Sequence, residues 1–382
     1  MLLHPTLAEL IIDVSAIRDN VSTLVDIASP AQVMAIIKAD GYNHGAQDVA
    51  QAAIDGGAHQ LGVATIAEAM NLRNYGFTCP IHAWMWCPGE NLTAPMAADI
   101  TIGVPSIAHA KAVVHAATER HAATGRKARV CLMVDTGMSR SGVSPSELTG
   151  TIELLAEHRD VVDVTGMSSH LASADMDSGR EITDLQNTRF SRAIQQARCA
   201  GLSVDTNHLA NTPATLSRPD LRHQMVRPGV SIYGVDPLET SSGVQLRSAM
   251  TFRARVITTR TVPAGEGVSY GHQWRAQRDT RTAVVAAGYA DGVPRSASGR
   301  FEVAINGQRY KQIGRVCMDQ FVIELPDDAN VEPGDWAVIF GHGGPHVDEL
   351  AAATGTIAYE NLTLPRGPRV TRRHVHHPDQ IA

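Results

Sequence analysis

A lysine closes the short apolar run Ala35-Ile36-Ile37-Lys38, and the polar loop Ala39-Asp40-Gly41-Tyr42-Asn43-His44-Gly45 follows at once. The apolar run reads as a buried strand. Lys38 therefore stands at the carboxyl end of a strand, where α/β barrels and open sheets put their chemistry. An amine held against an apolar wall has its pKa pushed down and becomes a usable nucleophile. The plain alternative is a surface lysine after an edge strand. Scarcity argues against it: of 33 basic residues only four are lysines, Lys38, Lys111, Lys127 and Lys311. A chain that uses arginine almost everywhere else, yet has lysine here, points to a need for an amine.

The elements around Lys38 alternate. Residues 10–14 read as a strand, with Ser15 placed to cap the helix after it. Beyond the Lys38 strand, strands read at 61–64, 81–86, 99–102, 130–134, 161–167, 205–209 and 225–230. Helical patterns fall between them, as at 47–53, 66–75, 107–117, 148–156 and 189–200. Eight β/α alternations within about 240 residues match a (β/α)8 TIM-type barrel. A doubly wound sheet is the rival, but the chain has no GxGxxG turn.

The pattern changes after residue 249. Short alternating strands read at 252–259, 282–287, 301–305, 321–325 and 336–340, divided by turns rich in Gly, Pro and Asn. Asn306-Gly307 is a strong hairpin signal. The expected organisation is an α/β barrel over residues 1–240 followed by an all-β domain over 241–382. Residues 347–353 read as a helix, and the basic tail 366–382 as a frayed, solvated end.

Composition narrows the classes of function. The chain has 382 residues, 43% hydrophobic and 19% charged, as a soluble globular protein does. A net charge of −6 argues against nucleic acid as a partner, because a phosphate-binding surface needs a basic excess. Cys79, Cys87, Cys131, Cys199 and Cys317 are scattered without a CxxC pair, which reads as reduced thiols in a cytoplasmic protein, with no metal site. Residues 1–13 lack the basic and apolar regions of a signal peptide. No apolar run is long enough to span a membrane.

Around Lys38 the string Ile37-Lys38-Ala39-Asp40-Gly41-Tyr42-Asn43-His44-Gly45 resembles the cofactor-lysine motif of the alanine racemases, pyridoxal phosphate enzymes of fold-type III. Gly267-Val268-Ser269-Tyr270-Gly271 resembles that family's second catalytic motif. Further matches follow in order: Asp135 to Arg140, His208 to Thr212, Arg227 to Gly234, Gly288 to Gly292, Gly314 to Gln320 and Ile357 to Glu360. Together they cover nearly the whole chain, both domains included.

The resemblance implies a chemistry that these residue types suit. Racemisation removes the Cα proton from one face and returns one on the other, so two bases on opposite faces suffice. The cofactor makes that proton acidic. By resemblance the bases are Lys38 and Tyr270, the latter working in the partner subunit's site of a homodimer. An ordinary tyrosine has a pKa near ~10, so Tyr270 needs a polarising neighbour. The cofactor phosphate would be held by the hydroxyls of Tyr42, Thr212 and Tyr359 and the amides of Gly229 and Val230, with Asn211 alongside. Arg227 would face the pyridine nitrogen. Arginine keeps its proton, so that nitrogen would stay unprotonated, which favours return of the proton over transamination. Arg140 and the backbone amide of Met318 would meet the substrate carboxylate. His170 would line the ring, and His208 would lie behind it. Asp175, Tyr289, Arg295, Arg315 and Ile357 match a corridor that sets access and substrate size.

Two departures from the family pattern stand out. Many members carry a carbamylated lysine two residues before the Asp135 position, where it orients the arginine; here that residue is Met133, which cannot form a carbamate. The lysine loop also carries Asp40-Gly41, a milder change. The expected function is an amino-acid racemase that interconverts L- and D-alanine and feeds cell-wall peptidoglycan. A racemase for serine or a broader set of amino acids is the nearest alternative, because Trp84, Trp86 and Met133 could reshape the pocket. From a different class, a non-catalytic pyridoxal phosphate-binding homeostasis protein would resemble the barrel alone.

Overall fold

The structure is a computed structural model that describes residues 6–381. The sequence readings on residues 1–5 and on Ala382 lie outside them. The chain divides into two compact units: Ile17–Gly41 with Gly45–Leu246, and the residues before Ile17 with Tyr42–His44 and everything from Arg247 onward. Among the described residues no helix is long and apolar enough to cross a membrane.

The strand β1 (Ala8–Asp13) belongs to the second unit and is described with it. The first unit is a parallel barrel. Its strands are β2 (Gln32–Ile36), β3 (Gln60–Thr65), β4 (Ile81–Met85), β5 (Ile100–Val104), β6 (Ala128–Met133), β7 (Val162–Ser168) and β8 (Met225–Val226), in the spatial order β7-β6-β5-β4-β3-β2-β8. All pairings are parallel, and helices cover the outside, as the alternation predicts. Val33, Ala35, Leu61, Val63, Ala83, Ile102, Val130 and Leu132 are fully buried, so these strands read as continuous apolar runs.

The wall between β7 and β8 differs from expectation. Residues 205–209 form no regular strand. Isolated bridges Ser168↔His208 and Asn211↔Arg227 close the circle instead. Thr206 N donates to Thr165 O (3.1 Å), His208 N to Met167 O (3.0 Å) and Arg227 N to Ala210 O (2.9 Å). The reason is Asn207. Its side-chain carbonyl accepts from Met167 N (3.0 Å) and its amide donates to Val204 O (2.9 Å), so a side chain takes over part of the ladder. Gly166 permits the close approach: a Cβ there would sit 1.8 Å from Thr206 O.

The second unit is all-β at its centre. After β9 (Met250–Val262), β10 (Gly267–Val268) and β11 (Trp274–Arg275) come β12 (Thr280–Val285), β13 (Glu302–Ile305), β14 (Gln308–Ile313), β15 (Phe321–Leu325), β16 (Trp336–Phe340) and β17 (Val370–Val375). The sheet order is β12-β15-β14-β13-β16-β9-β1-β17, and β12 also pairs with the second half of β9, so six strands close on themselves. Phe252, Phe321 and Phe340 fill the interior. The Asn306-Gly307 hairpin forms as expected, with both residues at positive φ (52° and 79°) and Ile305 opposite Gln308.

Two local expectations are corrected. The basic tail is not frayed: β17 pairs in parallel with β1, from Ala8↔Val370 to Asp13↔Val375, and Val375 and Ile381 pack on Ile11. Long-range pairing orders it, and local composition carries no sign of that. The helix Val14–Ala28 is capped by Asp13, not Ser15; the Asp13 carboxylate accepts from Ala16 N (3.0 Å) and Ser15 Oγ (2.5 Å).

Candidate active site

Lys38 stands where the sequence places it, directly beyond β2. Its loop is less ordinary. Ala39, Asp40, Gly41, Tyr42 and Asn43 have φ of 55°, 54°, 63°, 52° and 67°, a left-handed helical turn in which four of five residues carry a Cβ. Such a turn costs about 1–2 kcal/mol per non-glycine residue, so its surroundings must hold it. Gly41 N donates to Ile37 O and Gly45 N to Asp40 O (both 2.9 Å), and the Asp40 carboxylate accepts from Ala46 N (2.8 Å). Glu68 accepts from Ala39 N (2.7 Å). Sequence reading passed over Glu68; its only local sign is Thr65-x-x-Glu68, the capping box that opens the helix Ile66–Asn74.

Half-buried Lys38 has its pKa lowered, first by desolvation and then by Arg140, with Glu68 acting the other way. Its Nζ lies 5.9 Å from the centre of the Trp84 ring. Arg140 is exposed, at the end of a loop shaped by Asp135, whose carboxylate accepts from Gly137 N (2.9 Å) and Ser139 N (3.0 Å). Among the described residues no side chain hydrogen-bonds the Arg140 guanidinium. Met133 supplies none; its sulfur packs against Gly103, where a Cβ would lie 2.7 Å away. Asp175 is exposed on the loop after β7.

Arg227 extends from the end of β8 and is held by nearly all its donors. Nη1 donates to His208 Nδ1 (2.9 Å) and to the His208 carbonyl; Nη2 donates to Ser169 O (2.6 Å) and Leu209 O (3.2 Å) and lies 3.4 Å from His170 Nδ1. Nε is the donor with no partner among the described residues. Burial lowers the Arg227 pKa to about 10, with Cys131 opposing, so the group stays cationic at neutral pH. The neighbours stay neutral. Burial and then Arg227 lower His82 to about 4 and carry His208 well below its ordinary value. His170 keeps solvent contact, yet desolvation, Arg227, Arg140 and Lys38 bring it to about 3.

Thr212 is buried, and its Oγ1 accepts from the Gly229 amide (2.8 Å). The hydroxyl's own proton has no acceptor among the described residues. Asn211 caps the helix Thr212–Ser217, and Gly229 precedes the turn Val230–Tyr233, whose first amide, Val230 N, has no partner among the described residues. So Gly229's amide serves Thr212, and Thr212 and Val230 remain to donate. Lys38, Arg140, His170, Asn211, Thr212, Arg227, Gly229 and Val230 are thus gathered at the carboxyl ends of the barrel strands. An amine whose pKa is lowered by burial suits an aldehyde, a buried hydroxyl beside a helical turn suits a phosphate, and a fixed cation with one N–H to spare suits a ring nitrogen. The donor set fits pyridoxal phosphate.

In the second unit Tyr42 is buried beside Tyr359, with ring centres 6.1 Å apart, and burial followed by Tyr359 raises the Tyr42 pKa. Tyr270 is 69% exposed on a strained turn in which Ser269, Gly271 and His272 have φ of 62°, 72° and 44°. Ser269 Oγ donates to Arg315 O (2.6 Å) and lies 3.2 Å from Cys317 Sγ, which ties the turn to the segment carrying Met318. Tyr289 N donates to Cys317 O and Ala290 N to Met318 O (both 3.0 Å). Ser298 joins the turn at Arg295 to Val316. Tyr270, Tyr289, Arg295, Arg315 and Met318 are therefore assembled around one segment, while Ile357 precedes the short helix bearing Tyr359.

Residues 12–237 match the family model of the alanine racemase N-terminal domain, and residues 249–374 that of the alanine racemase C-terminal domain. The chain is 45% identical over 370 residues to the alanine racemase of Mycolicibacterium vanbaalenii, covering 95% of this chain and 93% of that one. The crystal structure of alanine racemase from D-cycloserine producing Streptomyces lavendulae superposes with a TM-score of 0.91 at 38% identity, covering 99% of each chain. The Bartonella henselae alanine racemase, solved with covalently bound pyridoxal phosphate, gives a TM-score of 0.87 at 27% identity, covering 97% of this chain and all of that one. With both domains matched in order and relatives aligned from end to end, the chain belongs to the alanine racemase family.

Proposed function

We propose that this protein interconverts L- and D-alanine with pyridoxal phosphate, using Lys38 and Tyr270 as its two bases. The observation that carries the reading is the desolvated Lys38 amine at the mouth of a parallel barrel, beside Arg140 and within a donor set that suits the cofactor. When bound, pyridoxal phosphate makes an amino acid's Cα proton acidic by taking up the charge left behind. Lys38 would anchor the cofactor, and its Nζ would hold or give a proton on one face of Cα. Tyr270 presents its phenol to the other face. Arg227, whose Nη1 and Nη2 are held by the protein, would offer its Nε–H to the ring nitrogen and so favour return of the proton over transamination. Tyr42, Thr212, Tyr359 and Val230 hold the phosphate, with Gly229 and Asn211 shaping the turn around it. His170 lines the ring as a neutral imidazole. Arg140 and the Met318 amide orient the substrate carboxylate.

The proposed division of labour gives cofactor binding to the barrel within residues 1–240 and the second base to residues 241–382. The active form is a homodimer with composite sites. Exposed Tyr270, Tyr289, Met318 and Ile357 support this, because large apolar groups in solvent mark a contact surface. Asp175, Tyr289, Arg295, Arg315 and Ile357 would line the substrate corridor. The protein would act in the cytoplasm and supply D-alanine for peptidoglycan.

One observation favours a broader substrate range as a second reading: no side chain among the described residues orients Arg140. Kinetics on a panel of L-amino acids, serine included, separates the two. The main test is loss of optical rotation from L-alanine together with the visible absorbance of lysine-bound cofactor. Absorbance without racemisation would favour a binding protein, and an unchanged band in Lys38→Ala would sink the cofactor assignment.

A further inference from the structure

The ladder between β2 and β3 breaks at Lys38. Ile37 N still donates to Gly62 O (2.9 Å), as a parallel pair requires. One residue later the chain enters the left-handed turn, and Ile37 O is taken by Gly41 N. The amides that would have continued the ladder, Ala39 N and Ala64 N, need another acceptor. Glu68 provides it. Its Oε1 accepts from Ala39 N (2.7 Å), and its Oε2 from Ala64 N and Thr65 N (both 2.9 Å). A capping box uses its carboxylate only on the helix side. Here the second oxygen reaches across to the adjacent strand end.

We propose that Glu68 is a positioning residue for Lys38: its carboxylate pins the amide that follows the lysine to the end of the neighbouring strand and so fixes where the amine points. Three amides converge on one anion, which makes each bond charge-assisted and the geometry stiff. The turn it holds is strained at Ala39 and Asp40, so without the anchor the backbone at Lys38 has other conformations to fall into. The same carboxylate opposes the loss of charge that burial and Arg140 impose on Lys38. This role rests on Lys38 being the cofactor lysine.

The test compares wild type, Lys38→Ala, Glu68→Gln, Glu68→Asp and Thr65→Ala as full-length chains. Each is stripped of cofactor, reloaded with pyridoxal phosphate across a pH series and assayed for racemisation. Glu68→Gln removes the charge and one acceptor; kcat falls between roughly tenfold and 100-fold with KM little changed, and capture becomes half-maximal at lower pH. Glu68→Asp keeps the charge but shortens the reach to Ala39; kcat falls while the pH of capture stays at the wild-type value. Thr65→Ala removes the cap acceptor of Glu68 N and one long hydroxyl contact to Oε2 (3.3 Å) but leaves the three amide bonds to the carboxylate, so Tm falls while kcat stays intact. Wild-type kcat in Glu68→Asp overturns the proposal, and so does an equal loss in Thr65→Ala. If Glu68→Gln fails to fold, the Glu68→Asp result decides. An inactive wild type, or capture persisting in Lys38→Ala, overturns the Lys38 reading itself and this role with it.

Discussion

Arg227 donates from Nη1 to His208 Nδ1 across 2.9 Å, which leaves the imidazole proton on Nε2, facing Cys131 Sγ at 3.6 Å. A cation fixed against an imidazole keeps that imidazole neutral, and burial acts in the same direction. The barrel interior around Arg227 therefore carries one positive charge among neutral neighbours, His82, His170, His208 and Cys131, whose thiol is raised to about 11 by burial.

Replacing this cation reverses the local field. In Arg227→Glu the carbonyls of Ser169 and Leu209 lose their donor and that of His208 keeps only Ser169 N (3.4 Å), and His170 and His208 become easier to protonate. Racemisation should fall on the order of 100-fold, the usual scale for losing a preorganised charged donor. The share of turnovers ending in transamination should rise, read as pyruvate released from L-alanine. Unchanged partitioning would remove Arg227 from the control of reaction specificity.

Stability should fall on acidification through this same cluster. The folded-state pKa of His82 is depressed to about 4 from 6.5, so below 6.5 the unfolded chain binds a proton that the folded chain refuses. Stability is then lost as pH falls through that window and is complete only above it. For His82 alone the loss between pH 7 and pH 5 is roughly 2 kcal/mol. Denaturant titrations at the two pH values measure it, and His82→Gln should flatten the difference. A wild-type midpoint that stays constant across this range would contradict the assignment.

The place of Lys38 at a strand end was legible because its signal is local: three apolar residues, then a lysine in a chain that uses arginine for 29 of its 33 basic residues. The barrel was legible for a similar reason, since each buried strand announces itself by its own run. What governs the lysine was not. The left-handed turn hides behind Ala39, Asp40, Tyr42 and Asn43, none of which advertises a positive φ as glycine does. Glu68 acts on Ala39 across 29 positions, and sequence shows only its capping role. Likewise Asn207 displaces a strand by bonding its side chain to Met167, and β17 is ordered only by its partner β1. Local propensity has no access to such non-local hydrogen bonds.

The tail offers a direct check on that last point. Val375 is 4% exposed, Ile381 is 5%, and both pack on Ile11; Arg253 Nη1 also donates to Ile381 O (2.9 Å). Val375→Asp puts an unpaired carboxylate into that contact. It should cost about 3 kcal/mol and lower Tm, the range for burying a charge without a partner. Substitution at exposed Arg366 should leave stability within about 0.5 kcal/mol of wild type. A frayed tail would tolerate both changes equally.

The strained turn beside Lys38 yields two changes of opposite sign. Gly41 has φ of 63°, and a Cβ on it would lie 2.9 Å from Val49 Cγ2 and 3.2 Å from Val49 Cβ. Gly41→Ala therefore combines left-handed strain with overpacking and should destabilise by roughly 2–3 kcal/mol. Ala39 already sits at φ 55° with its Cβ in place. Ala39→Gly removes that strain while adding freedom to the unfolded chain, so a net gain of up to about 1 kcal/mol is expected. Equilibrium unfolding of the two variants reads both signs. Loss of stability in Ala39→Gly would mean that the turn is not left-handed at this residue.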